Sequence, residues 1–124
     1  MVETKQKKIL IVEDDPQQMK FVSEILERKG FSILRASDGE EALELARSQK
    51  PDLILLDLVL PKTDGWRVCQ KLKQDESYKA IPIVLMSGLI QEEYESQGAE
   101  LGDAFLAKPV ESEKLLGVVR QFLK

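Results

Sequence analysis

Four apolar residues, Leu53 to Leu56, lead directly into a carboxylate, Asp57. A short apolar run without alternation is typical of a strand that is buried on both faces at the centre of a parallel sheet. Because an unpaired buried carboxylate is costly, we expect Asp57 to lie at the end of that strand, among partners. In open α/β sheets ligands bind at the edge formed by the carboxyl ends of the strands. This stretch therefore predicts an α/β domain with Asp57 at its functional edge.

Strand-like and helix-like patterns alternate along the rest of the chain. The predicted strands are Lys8–Val12, 31–35, 53–57, 81–86 and 104–107, and a helical pattern follows each of them. The first helix is predicted to begin at Pro16 with Asp15 as its cap and to stop at Gly30. The fourth is predicted to span 91–101. Five strand–helix units predict a single doubly wound (βα)5 domain over residues 1–124, with a parallel sheet covered on both faces.

Composition narrows the functional classes. The 124 residues carry 18 Lys and Arg against 22 Asp and Glu, and a net charge of −4 argues against direct nucleic-acid binding. No apolar run approaches the ~20 residues that a membrane span needs. The single cysteine, Cys69, allows no intrachain disulfide and fits a reducing, cytoplasmic compartment. The absence of histidine excludes His-based triads and His metal ligands.

Polar residues follow four of the five predicted strands. These residues are Glu13, Asp14 and Asp15 after the first strand, Asp57 after the third, Ser87 after the fourth and Lys108 after the fifth. The carboxyl ends of parallel strands share one edge, so we expect these side chains to converge. Two like charges ~4 Å apart cost ~4 kcal/mol at an effective dielectric of ~20, so the carboxylates need a cation. Oxygen donors without His or Cys favour Mg²⁺ over Zn²⁺.

Such an edge suits phosphoryl transfer onto a carboxylate. A carboxylate beside Mg²⁺, with a lysine and a hydroxyl opposite, provides an acceptor and charge stabilisation for the transferred group. Lys108 would act as a point charge on one phosphoryl oxygen, and Ser87 would donate a hydrogen bond to another. A plainer interpretation is that the acidic run 13–15 only caps a helix. That interpretation explains one of the three carboxylates well and all three poorly.

At this point the chain resembles the receiver domains of two-component response regulators. The likeness covers nearly the whole chain, and its segments occur in the order of the family. They are Ile9–Pro16, Asp38–Leu43, Pro51–Asp57, Leu60–Pro61 with Asp64–Gly65, Pro82–Gly88 and Phe105–Pro109. Each motif alone is weak, and the ordered set is highly specific. The resemblance implies a flavodoxin-like sheet in the order 2-1-3-4-5.

The resemblance also implies a role for each acidic residue. Asp57 accepts a phosphoryl group from a phosphohistidine on a sensor histidine kinase or a histidine phosphotransfer protein. Asp14 ligates Mg²⁺, Glu13 assists through water, and the backbone carbonyl of Val59 is a further ligand. Mn²⁺ is an admissible substitute for Mg²⁺. Asp15 is the helix cap.

The remaining implied roles concern the switch. Ser87 and Phe105 form the switch pair, Lys108 holds the phosphoryl group, and the Lys108–Pro109 peptide bond is cis. The surface of the predicted fourth helix, fifth strand and fifth helix, here called the output surface, passes the signal to a target or output domain. The resemblance is also compatible with a dimer that forms on phosphorylation. The domain is then no enzyme, beyond catalysing its own phosphorylation and slow dephosphorylation.

The sequence departs from the family pattern at several positions. A Phe at 105 replaces the frequent Tyr, so a switch there relies on ring burial without a phenolic hydrogen bond. From Ser87 to Lys108 the chain is one residue shorter than the usual pattern. Val59 and Leu89 are apolar where the family often has polar residues, so neither can orient a water. We therefore expect these two gate residues to leave the phosphorylated state long-lived.

Other functions fit the residues less well. A phosphatase with an aspartyl nucleophile would want a second Asp at position 59, where this chain has Val59. A nucleotide-binding switch or a flavin module would want phosphate-friendly Gly, Ser or Thr after the first strand, and this chain has Glu13–Pro16 there. The serious alternative is an interaction module on the same fold that is never phosphorylated.

Overall fold

The computed structural model describes residues 6–61, 64–88 and 102–123. Within them, five strands and four helices alternate for most of the chain. They are β1 (Lys8–Val12), α1 (Pro16–Arg28), β2 (Ser32–Ala36), α2 (Gly39–Gln49), β3 (Leu53–Asp57), α3 (Gly65–Gln74), β4 (Ile83–Ser87), β5 (Ala104–Ala107) and α4 (Ser112–Phe122). The predicted helix at 91–101 lies outside the described residues. None of the described helices has the length and apolar character needed to cross a membrane.

All five strands join one parallel sheet in the order β2-β1-β3-β4-β5. This is the expected order, and the prediction of a doubly wound sheet is confirmed. β3 lies at the centre, paired with β1 on one side and β4 on the other. All five residues of β3 are buried, which explains why its sequence lacks the alternation of a strand with one wet face.

The sheet separates two apolar cores. Alternate residues of β3 point to opposite faces, so Ile54 and Leu56 contribute to one core while Leu53 and Leu55 contribute to the other. Helices α2 and α3 cover the first face, and α1 and α4 cover the second. The buried helix residues of the first core are Ala42, Leu43, Ala46, Val68, Cys69 and Leu72. Those of the second are Val22, Leu26, Leu115 and Val119.

Side-chain caps fix where three helices begin. Asp15 precedes α1 and accepts a hydrogen bond from the backbone N–H of Gln17 at 3.0 Å, as predicted. Asp38 caps α2 by accepting from the N–H of Glu41, whose carboxylate accepts from the N–H of Ser37 in return. The Glu41 carboxylate thus reaches back to the residue before the cap, an arrangement related to the capping box. Asp64 caps α3.

Two strands, β2 and β4, differ from the prediction at their starts, and each also ends one residue later than predicted, at Ala36 and Ser87. β4 begins at Ile83 rather than at residue 81, because the N–H of Ile81 bonds to the carbonyl of Tyr78 in the preceding turn and Pro82 has no N–H. β2 begins one residue later than predicted, because the N–H of Phe31 bonds back to Leu26 of α1. Both shifts come from turn hydrogen bonds that a pattern of apolar residues does not reveal.

Candidate functional site

The carboxyl edge of the sheet brings together the ends of β1, β3, β4 and β5. Asp57 closes β3 and lies opposite Met86 of β4, and Ser87 lies opposite Ala107 of β5. The backbone N–H of Lys108 then bonds to the carbonyl of Ser87 at 2.7 Å, which continues the pairing by one residue. Residues that are remote in sequence therefore meet at one edge, as the alternating pattern predicted.

Lys108 bridges two carboxylates at this edge. Its Nζ lies 2.7 Å from Oε1 of Glu13 and 2.8 Å from Oδ2 of Asp57. The Glu13 and Asp57 side chains are only 2% and 5% exposed, so both ion pairs form where water is largely excluded. Charge-assisted hydrogen bonds of this kind are short and strong. The ammonium of Lys108 therefore holds the ends of β1, β3 and β5 together.

The other carboxylate oxygens of the same two residues bind backbone groups. Oδ1 of Asp57 accepts from the N–H of Val59 at 3.0 Å. Oε2 of Glu13 accepts from the N–H of Asp15 at 3.1 Å. All four oxygens of these buried carboxylates thus have a donor, which is what burial of a charge requires. Contacts from three loops therefore position the two carboxylates.

Burial and charge shift the pKa values of this group. The pKa of Glu13 is raised above its ordinary value, chiefly because burial penalises the carboxylate, with the charge of Asp57 adding to the effect. Its hydrogen bonds with Lys108 and Asp15 act in the opposite direction. Burial lowers the pKa of Lys108, but the hydrogen bonds and charges of Asp57 and Glu13 outweigh it, so that pKa is raised overall. Lys108 therefore stays cationic at neutral pH.

Three carboxylates form a cluster that could hold a cation. One oxygen each from Glu13, Asp14 and Asp57 lies within 4.8 Å of the others, with Asp14 exposed and the other two buried. The ammonium of Lys108 offsets one of the three formal negative charges of these carboxylates, which leaves a formal net charge of −2. An oxygen-only donor set with one exposed carboxylate fits Mg²⁺.

Gly65 is a residue of this edge that the sequence analysis did not single out for the site. A Cβ at this position would fall against the carbonyl oxygen of Asp57 and 2.6 Å from the Cα of Leu58. The N–H of Gly65 also bonds to the carbonyl of Leu58 at 2.9 Å. Helix α3 can therefore begin directly over the end of β3 only because residue 65 has no side chain.

The structure places the remaining predicted residues as follows. Ser87 is buried at the end of β4. Phe105 is half-buried and packs on the core that α2 and α3 cover. The Val59 side chain is 75% exposed, and the Lys108–Pro109 peptide bond is cis. Leu89 lies outside the described residues.

Comparisons with known proteins agree with this architecture. Residues 9–120 match the family described as response regulator receiver domain. The DNA-binding dual master transcriptional regulator RpaA of Synechocystis sp. PCC 6803 is 42% identical over 94% of this chain and 49% of its own length. The chain thus spans about half the length of that relative. A putative response regulator from Chloroflexus aurantiacus has a TM-score of 0.90, 31% identity, and coverage of 96% of this chain and 98% of its own.

These matches define a class of protein. The chain belongs to the response regulator receiver domain family. One solved neighbour contains the metal that the donor set favours. The receiver domain of sensor histidine kinase PA1611 from Pseudomonas aeruginosa, with a magnesium ion coordinated in its active site cleft, has a TM-score of 0.87 and 25% identity over 95% of this chain and 98% of its own.

Proposed function

We propose that this chain is a phosphorylation-dependent signalling switch whose phosphoryl acceptor is Asp57. The donor is a phosphohistidine on a sensor histidine kinase or a histidine phosphotransfer protein. The observation that carries the proposal is the contact of one buried carboxylate, Asp57, with the ammonium of Lys108, beside a cluster of two further carboxylates. In this proposal, one edge of the sheet provides the acceptor, a cation that binds the phosphoryl group, and a metal site.

The transfer requires little from the protein beyond positioning and charge. A carboxylate oxygen of Asp57 forms a bond to phosphorus while the bond from phosphorus to the donor's imidazole nitrogen breaks, and the electron pair leaves with that nitrogen. Lys108 is placed to bind a phosphoryl oxygen, and the N–H of Val59 already orients the acceptor carboxylate. The hydroxyl of Ser87 would donate to a second phosphoryl oxygen.

The metal has a defined place in this proposal. Glu13, Asp14, Asp57 and the backbone carbonyl of Val59 would hold Mg²⁺, with Glu13 acting through a water, and Mn²⁺ is an admissible substitute. When bound, the ion supplies positive charge that offsets the carboxylates and the phosphoryl oxygens. The support from this chain is the oxygen-only cluster with its net negative charge.

The output follows from the position of β5. Phe105 and Lys108 lie on β5 or just after it, so a phosphoryl group that engages Lys108 acts on the same strand as the Phe105 ring. We propose that burial of this ring changes the output surface, through which a target, an output domain or a second phosphorylated copy binds. RpaA is named as a DNA-binding transcriptional regulator, and a DNA-binding output reached through this surface is one form that such a target takes.

A labelling experiment tests the proposed function. With acetyl phosphate and Mg²⁺, the wild-type chain should gain one phosphoryl group, detected by intact mass, and Asp57→Asn should gain none. Asp52→Asn is the matched control. Asp52 immediately precedes the other end of β3, so its replacement should leave labelling intact. Absence of labelling in the wild type would favour the alternative, an interaction module that is never phosphorylated. Unchanged labelling of Asp57→Asn would mean that another residue is the acceptor.

A further inference from the structure

A second polar cluster lies at the opposite edge of the sheet, far along β4 and β5 from Asp57. Asp103, the residue before β5, brackets Ile83, the first residue of β4. The N–H of Asp103 donates to the carbonyl of Ile83 at 2.8 Å, and the Asp103 carboxylate accepts from the N–H of Ile83 at 2.8 Å. Both backbone groups of Ile83 on this side are therefore bound by one residue.

Lys73, in the last turn of α3, completes the cluster. Its Nζ lies 2.6 Å from Oδ2 of Asp103, 2.9 Å from the carbonyl of Ile81 and 3.3 Å from the carbonyl of Lys79. An ammonium has three N–H donors, and here each has an acceptor. The Lys73 and Asp103 side chains are 21% and 37% exposed, so the ion pair is partly exposed, and its connecting role comes from the two backbone carbonyls that Lys73 also binds. It joins the end of α3, the turn before β4 and the start of β5.

The chain also approaches β4 closely just before this cluster. A Cβ on Gly102 would lie 2.7 Å from Cδ1 of Leu85, so a larger residue there would require the Leu85 side chain or the backbone at 102 to shift. β5 is held to β4 at its start by the hydrogen bonds of Asp103. It is held at its end by the 2.7 Å hydrogen bond from the N–H of Lys108 to the carbonyl of Ser87.

We propose that Lys73 and Asp103 are positioning residues for phosphoryl transfer. They fix the register and position of β5 relative to β4, and so place the Lys108 ammonium against Asp57. The inference rests on the proposed function, since it assigns these residues to the chemistry at Asp57. β5 is only four residues long, so a movement of its start reaches Lys108 with little to absorb it.

The test compares two lysines of the same region. Lys73→Met removes the ammonium and keeps the aliphatic chain, and Lys73→Gln is a milder variant should the first fold poorly. Lys79→Met is the matched control, because the Lys79–Glu76 pair is exposed and does not connect β4 with β5. Ala46→Gly on α2 lowers stability remote from β5, and so reports what lost stability alone does to the rate. Each folded protein is phosphorylated with acetyl phosphate and Mg²⁺ over a range of donor concentrations.

The expected result is a specific loss of maximal rate. A displacement of 1 Å can cost ~100-fold, so a partial displacement of Lys108 should lower the maximal rate about three- to tenfold in Lys73→Met and Asp103→Asn. The donor concentration at half-maximal rate should stay the same, and Lys73→Arg, which keeps the charge and several donors, should recover most of the rate. Lys79→Met and Ala46→Gly should label as the wild type does.

Two other results would contradict the proposal that Lys73 and Asp103 are positioning residues. If folded Lys73→Met and Asp103→Asn label at the wild-type maximal rate, or slow no more than Ala46→Gly does, the pair is structural only and the proposal is wrong. If the wild type itself does not label at Asp57, the proposed function fails, and this inference falls with it. The wild-type arm and the variant arm therefore report the two failures separately.

Discussion

Nζ of Lys108 lies 2.8 Å from Oδ2 of Asp57, although 51 positions of the chain separate the two residues. The same ammonium also contacts Glu13, so the carboxylate that we propose as the acceptor already has a cation before any phosphoryl group arrives. A phosphoryl group on Asp57 would bring further negative charge to an ammonium that is already in place. Lys108 then changes its partner oxygen by a small movement and needs no large rearrangement of β5.

Replacement of Lys108 should expose the repulsion within the cluster. Without metal, Lys108→Met leaves the buried carboxylates of Glu13 and Asp57 without their counter-charge, and we expect a loss of about 2 kcal/mol in the free energy of unfolding. Added Mg²⁺ should restore part of that loss, and phosphorylation should remain slow. Urea denaturation with and without Mg²⁺ measures the first two effects. Lys114→Met is the control, since its 3.8 Å pair with Glu111 is exposed and should contribute little; an equal loss in both variants would contradict the argument.

The cluster should respond to metal and to neutralisation of one carboxylate. Mg²⁺ at about 100 times its dissociation constant should stabilise the wild type by ~2.7 kcal/mol, seen as a higher melting temperature. Asp57→Asn keeps the shape of the side chain and removes one of the mutually repelling charges, so it should melt higher than the wild type in EDTA and gain less from Mg²⁺. A lower melting temperature of Asp57→Asn in EDTA would mean that its ion pair with Lys108 outweighs the repulsion.

The raised pKa of Glu13 gives a pH dependence with a definite sign. The folded protein holds this proton to a higher pH than the unfolded chain, whose Glu13 titrates near the ordinary value of 4.5. The stability that this group contributes is therefore present below that value and lost as pH rises through the folded-state pKa. Metal-free wild type should fall in stability relative to Glu13→Gln as pH rises from about 4 to about 8.

Subtracting the unfolding free energies of the two proteins at each pH cancels the titrating groups that do not interact with Glu13. The difference should be smallest in acid, where Glu13 is protonated and resembles Gln. If the free energy of unfolding of the wild type instead rose relative to that of Glu13→Gln with increasing pH, the Lys108 ion pair would outweigh the cost of burial.

Gly65 should tolerate no side chain, in contrast to a second helical glycine. Gly65→Ala places a methyl group against the carbonyl of Asp57, so we expect a loss of about 1–3 kcal/mol and slower labelling of Asp57. A Cβ added at Gly117 of α4 would meet nothing within 4 Å, and Gly117→Ala should stabilise the protein by up to about 1 kcal/mol. Chemical denaturation of the two variants measures both changes in stability. Equal effects of Gly65→Ala and Gly117→Ala would contradict a special role of residue 65.

The lifetime of the phosphorylated state tests the gate residues. Val59 follows Asp57 by two residues and is 75% exposed, so it covers the site little, and we expect it to act by offering a water no hydrogen-bonding partner. Val59→Asn combined with Leu89→Glu should lose phosphate a few-fold to tenfold faster, which corresponds to about 1.4 kcal/mol at the upper end. Decay of the phosphorylated mass after removal of the donor gives the rate. An unchanged rate would show that these positions do not set the lifetime.

The sequence predicts the sheet well because its strands are short, apolar and followed by polar residues. The four apolar residues before Asp57 indicate a central strand by themselves, and the bounds of β1, β3 and β5 agree with the prediction. Asp15 is predictable as a cap because Pro16 follows it. The convergence of Asp57 and Lys108 follows from topology alone, since parallel strands end at one edge.

Other features require coordinates. The bond from Lys108 to Glu13 depends on the side-chain directions of two loops, and nothing in the spacing of these residues specifies it. The need for glycine at 65 arises from the approach of α3 to β3, which the pattern Asp64-Gly65 marks only as a turn. The pairing of Lys73 with Asp103 links a helix end to the start of a strand across the fold.

The bracket that Asp103 forms around Ile83 has a consequence for length variation in this chain. β4 and β5 pair in register from Val84 with Ala104 to Ser87 with Ala107. Because Asp103 fixes this pairing at the start of the two strands, their alignment does not depend on the number of residues in the connection between them. We therefore expect insertions or deletions in that connection to leave Lys108 in place.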